Sequence, residues 1–282
     1  MSKIIVKHDG EVLDYLLNNC TDQSKSKIRQ LFKNKCVAVN GDLTSQYNKK
    51  VRKGDVITFQ QFFKTKSQGN LPIIYEDQEF VVINKPSGLL SVSTKGEKTD
   101  TAYNMVSDYI KLKNKKAKIF VLHRLDRETS GVLVFAKNEN IKRKLQNDWN
   151  KLVTKRGYIA ICEGRMKKGK AKVKSYLKEN KEYMVYSTMD KKGDLAITNY
   201  NVKRTSDRYS YVEVYLETGK KNQIRVHMND LGHPIAGDKK YYAKTNPLKR
   251  LALHSHVLEF RHPDSHKLYT FAVKAPGTFK VQ

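Results

Sequence analysis

In the stretch "KIRQLFKNK", apolar Ile28, Leu31 and Phe32 recur every three or four positions, the period of a helix with one buried face. Ser24 and Ser26 stand before it as capping hydroxyls. Directly afterwards "CVAVNGD" changes to a period of two and ends in Asn40-Gly41, a tight-turn pair between strands. "VRKGDVITF" adds a second turn and a short strand, so residues 1–60 read as a small, self-contained α/β unit. The polar run 61–72, with Ser67, Gly69 and Pro72, reads as a linker. Beyond it, Ile73-Ile74 and Phe80–Ile83 predict two strands about a turn at Asp77, and Pro86-Ser87-Gly88 forces a bend. Strand patterns in "GVLVFAK", "YIAICEG" and "YVEVYLE" then alternate with helical ones in "TAYNMVSDYIKLK" and "IKRKLQNDWNKL". Hairpin turns outnumber strand–helix–strand crossovers, so residues 73–282 predict an α+β domain on a mixed, mainly antiparallel sheet. No internal repeat or low-complexity tract interrupts the pattern.

Composition adds a partner to this outline. Across 282 residues the hydrophobic fraction is 39%, enough for packed cores, while 55 Lys and Arg against 28 Asp and Glu leave a net charge of +27. Such an excess concentrates polyanions, and nucleic acid is the leading one because phosphate contacts supply much of its binding energy. Three widely spaced cysteines, Cys20, Cys36 and Cys162, do not suit a disulfide scaffold or a four-cysteine zinc site. No stretch approaches the roughly 18 apolar residues of a membrane span, and the amino terminus lacks a leader-like apolar core. The expectation is a cytoplasmic protein that does not engage a membrane and works as a monomer.

The candidate chemistry centres on "HRLDRETSG", residues 123–131, where Asp126 sits between Arg124 and Arg127 yet is flanked by Leu122, Leu125 and Val132–Val134. A carboxylate in such surroundings is partly sheltered and needs a partner. In "TGKKNQIRVH", Arg225 follows apolar Ile224 and is able to point inward as a bidentate partner, while Lys220 and Lys221 stay in water. In "KRGYIAICEG", Tyr158 opens an alternating strand and offers a face for an unpaired base. Taken singly, a structural ion pair is the default reading of Asp126 with Arg225, and core packing that of Tyr158. "GRMKKGKA", residues 164–171, imitates a phosphate loop but has Ala171 where Ser or Thr is required. His254, His256 and His262 lack the further ligands and supports of a metal site, so they read as structural histidines.

Five segments together resemble the RluA-type family of pseudouridine synthases. "HRLDRETSG" resembles the family hallmark, "YEDQEFVVINKPSGLLSV" its opening motif, "KRGYIAICEG" its tyrosine motif, "TGKKNQIRVHMNDLGHPIAGDKKY" its arginine motif and "RLALHSHVLEFRHP" its closing strand. The resemblance covers residues 73–276. Residues 1–60 resemble an S4-type RNA-binding domain through Ser26, Lys27, Arg29, Val39, Asn40, Gly41, Gly54 and Asp55. The resemblance implies the pseudouridine synthase fold behind a small S4-like domain. It implies isomerisation of uridine in structured RNA, most of all large-subunit ribosomal RNA, without metal or cofactor, because no redox change or external group is involved. Asp126 is then the catalytic carboxylate, Tyr158 packs on the target base, Arg225 pairs with Asp126 beside Ile224, and Arg124 fills the space left by the extracted uridine. Lys25, Lys27, Arg29, Lys33, Lys35, Lys220 and Lys221 are the expected RNA contacts. Lys220 and Asn222 depart from the Arg and His usual in the family, which bears on substrate contacts. The alternatives are the same chemistry on transfer RNA, or a non-catalytic RNA-binding or ribosome-assembly factor.

Overall fold

The computed structural model describes residues 3–20, 24–33, 36–59, 61–64, 70–94, 96 and 99–280. They divide into two compact units, Met1–Glu76 and Asp77–Gln282. The first contains β1 (Lys3–Ile5), β2 (Gly10–Glu11), α1 (Val12–Asn19), α2 (Lys25–Lys33), β3 (Val37–Val39), β4 (Asp42–Thr44), β5 (Lys50–Val51), β6 (Val56–Phe59), β7 (Gln61–Lys64) and β8 (Asn70–Glu76). Strands in the order β1-β6-β3-β4 form an antiparallel sheet, and β2 pairs with β5. Val12, Tyr15 and Leu16 of α1 and Ile28 and Phe32 of α2 close over Val37, Val39 and Ile57 in one buried cluster. The apolar period read in "KIRQLFKNK" is therefore the buried stripe of α2. The Asn40-Gly41 turn has φ of 53° and 86°, the left-handed pair that a two-residue hairpin requires. Within residues 61–72, which the sequence reads as a linker, Gln61–Lys64 of β7 pairs antiparallel with Asn70–Ile73 of β8. Composition does not report such a ladder, because it is held by backbone hydrogen bonds.

The second unit contains β9 (Phe80–Lys85), α3 (Ala102–Lys113), β10 (Phe120–Val121), β11 (Ser130–Ala136), α4 (Glu139–Asn147), α5 (Trp149–Leu152), β12 (Val153–Glu163), β13 (Gly169–Glu179), β14 (Val185–Thr188), β15 (Asp194–Thr205), β16 (Tyr209–Leu216), α6 (Gln223–Asp230), β17 (Leu253–Arg261) and β18 (Leu268–Ala272). Its sheet runs β14-β13-β15-β16-β12-β17-β11-β9, with β10 beside β11 and β18 beside β17. Those pairings are antiparallel except β11 with β17, which meet in parallel at Ser130↔His254 and Gly131↔Ser255. The mixed, mainly antiparallel α+β architecture is the one the turn pattern predicts. β11 is buried along its whole length, matching its uninterrupted apolar run. Gly131 sits at the parallel seam with φ of 115°, and a Cβ there would lie 2.0 Å from the Ser255 carbonyl oxygen. Only glycine lets the two strands approach so closely.

"QIRVHMND", left without an element in the sequence reading, is helix α6. Gly164–Ala171 leads into β13 rather than into a helix, so it lacks the helix N-terminus a phosphate loop uses. His254 Nδ1 lies 2.8 Å from Ser130 Oγ and so ties β17 to the start of β11.

Candidate active site

The segment from Leu122 to Thr129 carries Asp126 and enters β11. Backbone amides alone do not hold it. Buried Ser91 donates its hydroxyl to the Leu125 carbonyl at 2.7 Å and accepts the Leu125 amide at 3.0 Å. Lys85, fully buried at the end of β9, donates Nζ to the carbonyls of Pro86 (2.9 Å), Leu89 (2.7 Å) and Arg127 (3.0 Å). Burial pulls the Lys85 ammonium down to about 7, against the opposing pull of the Glu128 carboxylate. The Gly88 amide donates to the Arg127 carbonyl at 2.9 Å, and the Thr129 amide closes a turn on the Asp126 carbonyl at 3.1 Å. The bend at Pro86-Ser87-Gly88 thus serves as a cradle that clamps the backbone on both sides of Asp126.

The Asp126 carboxyl opens into a cleft of about 950 Å³. That volume is near the top of the range of about 300–1,000 Å³ for ligand sites. Arg124, Tyr158, Lys220, Lys221, Ile224 and Arg225 line the same cleft, so the second unit brings together every site residue that the sequence assigns to it. Tyr158 lies on β12 opposite Ser255 of β17. Burial pushes its phenol up to about 12, against the charge of Arg156 and with that of Asp126. Its hydroxyl is therefore neutral near pH 7, and the ring is half-buried with a face on the cleft. Arg124 is exposed and makes no hydrogen bond or ion pair among the described residues.

Arg225 reaches Asp126, but the two-pronged face of its guanidinium is turned to another carboxylate. Its guanidinium forms a two-pronged pair with Asp238, Nε to Oδ2 and Nη2 to Oδ1, both at 2.7 Å. Asp126 is a third and longer contact, Nη1 to Oδ2 at 3.5 Å, and Nη1 also donates to Asn222 Oδ1 at 3.1 Å. The Asp238 side chain is 1% exposed, that of Arg225 13% and that of Asp126 36%. Burial works against the Arg225 charge, and the hydrogen bonds and charge of Asp238 outweigh it, so the group is held above its ordinary value. The ring of Tyr241 lies 5.0 Å from the guanidinium centre, and its hydroxyl accepts from Asn222 Nδ2 at 3.1 Å. Asp238, Asn222 and Tyr241 consequently fix Arg225 as a cation whose third and longest carboxylate contact is with Asp126. The half-open Asp126 remains free to meet a ligand.

Asp238 and Lys85 escaped the reading of single motifs. Asp238 lies in "IAGDKKY", 13 positions after the arginine, where nothing local distinguishes it from a surface acid. Lys85 follows an apolar strand in "VVINKPSG", and a lysine in that position signals burial only once the strand is known to be central. Lys220 and Lys221 sit at the rim, paired with Asp194 at 2.9 Å and with Glu179. These pairs are exposed and contribute little by themselves. Lys25 and Arg29 are exposed on α2. Lys35 and the side chains of Lys27 and Lys33 lie outside the described residues. Among the described residues no group of three His, Cys, Asp or Glu side chains is placed to hold a metal ion, and no helix is long and apolar enough to cross a membrane.

Comparison with known proteins points the same way as this geometry. Residues 79–230 match the family model described as "RNA pseudouridylate synthase". The chain is 31% identical, over 97% of its length and 93% of the relative's, to an uncharacterized RNA pseudouridine synthase, YhcT, of Bacillus subtilis. It is 33% identical to ribosomal large subunit pseudouridine synthase D of Borreliella burgdorferi, over 90% of this chain and 83% of that one. The solved structure of human RNA pseudouridylate synthase domain containing 4 superimposes with a TM-score of 0.61 at 24% identity, covering 73% of this chain and 89% of that one, a likeness of fold.

Proposed function

The chain belongs to the RNA pseudouridylate synthase family, and from that premise we propose that it isomerises uridine in large-subunit ribosomal RNA at Asp126. The observation that carries the reading is the half-open Asp126 carboxylate, clamped by Lys85 and Ser91, with the Arg225 cation 3.5 Å away and Tyr158 on the same cleft wall. The reaction breaks the N1–C1′ bond, turns the detached uracil and rejoins it through C5. Electrons and atoms balance without an external reagent. Asp126 either attacks C1′ or removes the C2′ proton. Tyr158 packs its neutral ring on the base, and Ile224, 5% exposed on α6, forms the apolar wall beside it. Arg225 is a positioning residue that faces the carboxylate with positive charge through both steps. Arg124, exposed at the cleft, takes the place of the extracted base within the helix, which offsets part of the few kcal/mol that extraction costs.

The net charge of +27 supports an RNA substrate, and the name of the large-subunit relative supports ribosomal over transfer RNA. The first unit reads as an S4-like RNA-binding domain, its exposed Lys25 and Arg29 contacting phosphates with Lys27, Lys33 and Lys35. The protein acts as a monomer in the cytoplasm. Mapping pseudouridine in ribosomal and transfer RNA from cells with and without the protein tests this reading. Sites lost from large-subunit RNA support it. Losses confined to transfer RNA replace the substrate, and no lost site overturns the activity.

A further inference from the structure

Strand register divides the cleft into two levels. Tyr158 pairs with Ser255, which pairs across the seam with Gly131, so Tyr158 and Asp126 lie near the start of β11. Arg156, two residues earlier on β12 and therefore on the same face, pairs with Leu258. His123 accepts the Val134 amide on Nε2 at 3.2 Å. Arg156 is two residues from Tyr158 on β12, about 7 Å at strand rise, the three-residue step from Ser255 to Leu258 on β17 containing a bulge at His256, and Val134 lies three residues beyond Gly131 on β11. The second level is thus roughly one nucleotide step from the first.

This second level has the furniture of a nucleotide site that the isomerisation does not use. Trp149, the sole tryptophan, is half-exposed at the cleft and rests against the His123 ring, centroids 5.9 Å apart and planes at 39°. Gln146 donates Nε2 to the carbonyls of Val121 and Leu122, both at 3.1 Å, which anchors the end of α4, just before the α5 turn carrying Trp149, to the strand leading into His123. Arg156 is half-buried, donates to the Glu217 carbonyl and has no carboxylate partner among the described residues. Lys142, also lining the cleft, is in no ion pair among the described residues. Two unneutralised cations beside an aromatic face suit a base and its phosphate.

We propose that this level binds the nucleotide next to the target uridine in the same strand, its base stacked on Trp149 and its phosphate held by Arg156 and Lys142. The inference rests on the reading of Asp126 as the reacting site, since that reading makes the lower level the uridine pocket. The neighbour's stacking holds the strand open while the uridine occupies the lower level.

The test uses the full chain and two hairpin RNAs, one with a uridine in its loop and one with abasic residues on either side of that uridine. RNA binding is followed by anisotropy of a label on the RNA, and the tryptophan by its intrinsic emission. The intact hairpin should quench the emission and bind about tenfold or more tightly than the abasic one, the worth of one stacked base. Trp149→Ala should bind both hairpins alike, and Trp149→Phe should restore most of the difference. Arg156→Gln should lower the slope of log K against log salt by about 0.7. Unchanged emission at saturation, or a Trp149→Ala protein that still separates the two hairpins, would overturn the subsite. Thermal unfolding of each variant separates lost stacking from lost structure. Failure of the wild-type protein to form pseudouridine would count against Asp126 chemistry, whereas the difference between hairpins tests Trp149 independently.

Discussion

At the scale of the residue, the Asp126 carboxylate and the Arg225 cation are separable in function. Asp126→Asn keeps shape and hydrogen-bonding capacity but loses the nucleophile or base, so product formation should vanish while RNA affinity stays near wild type. Turnover within about tenfold of wild type, a barrier change of only about 1.4 kcal/mol, would remove Asp126 from the chemistry. Arg225→Ala exposes a different weakness, because it strands the 1% exposed Asp238 side chain rather than Asp126. Breaking such a buried pair costs about 3–5 kcal/mol. A double-mutant cycle by denaturant unfolding should therefore give a larger coupling for Arg225 with Asp238 than with Asp126. Lys85 allows a test by pH. Its folded-state value of about 7 lies below the ordinary lysine value of 10.5, so between those limits the unfolded chain binds more protons than the folded one. Stability relative to Lys85→Met should accordingly rise with pH from about 7 to about 10.5, by at most about 1.4 kcal/mol per unit. A flat difference across that window would mean the ammonium is not desolvated.

At the scale of the element, the site depends on where strands are allowed to touch. The parallel seam between β11 and β17 sets the level of Tyr158 against Asp126, and it closes only because Gly131 has no side chain. Gly131→Ala should lower stability by about 4 kcal/mol or more, among the largest effects expected of one methyl, since both backbone strain and a backbone clash oppose it. Chemical denaturation of the purified variant, or its failure to accumulate in soluble form, is the measurement. A loss below about 1 kcal/mol would show that the strands part without consequence. The helices place less: α4 is capped by Asn138, whose side chain accepts the amides of Asn140 and Ile141, and it carries Gln146 just before the Trp149 turn.

At the scale of the whole molecule, the two units invite separation. Every residue proposed for chemistry lies after Glu76, and the second unit has its own buried core around Ile159–Cys162, Val212 and Ile235. A fragment of residues 77–282 should fold and should modify RNA at raised enzyme concentration. Cutting earlier, within residues 61–72, would divide the β7–β8 hairpin. Loss of Lys25, Arg29 and their neighbours should weaken binding and flatten its salt dependence by about 0.7–0.9 in slope for each phosphate contact removed. Equal slopes for fragment and full chain would mean that the first unit does not touch RNA.

Local physics made much of this protein legible in advance. Period-two and period-three-to-four patterns located β3, β12, β16, α2 and α3, because burial on one face imposes those spacings whatever the fold, and uninterrupted apolar runs located β9 and β11, which are buried on both faces. The family motifs brought Asp126, Tyr158 and Arg225 forward, although only Tyr158 lies on a strand that the patterns located, Asp126 preceding β11 and Arg225 lying on α6. Tertiary structure alone decided that Arg225 grips Asp238, that Lys85 spans three carbonyls and that Trp149 stands beside His123. Those contacts join residues whose chemistry is ordinary in their own segments. Burial and pairing are properties of the space between segments, and a one-dimensional pattern carries no record of that space until the sheet order and register bring it into being.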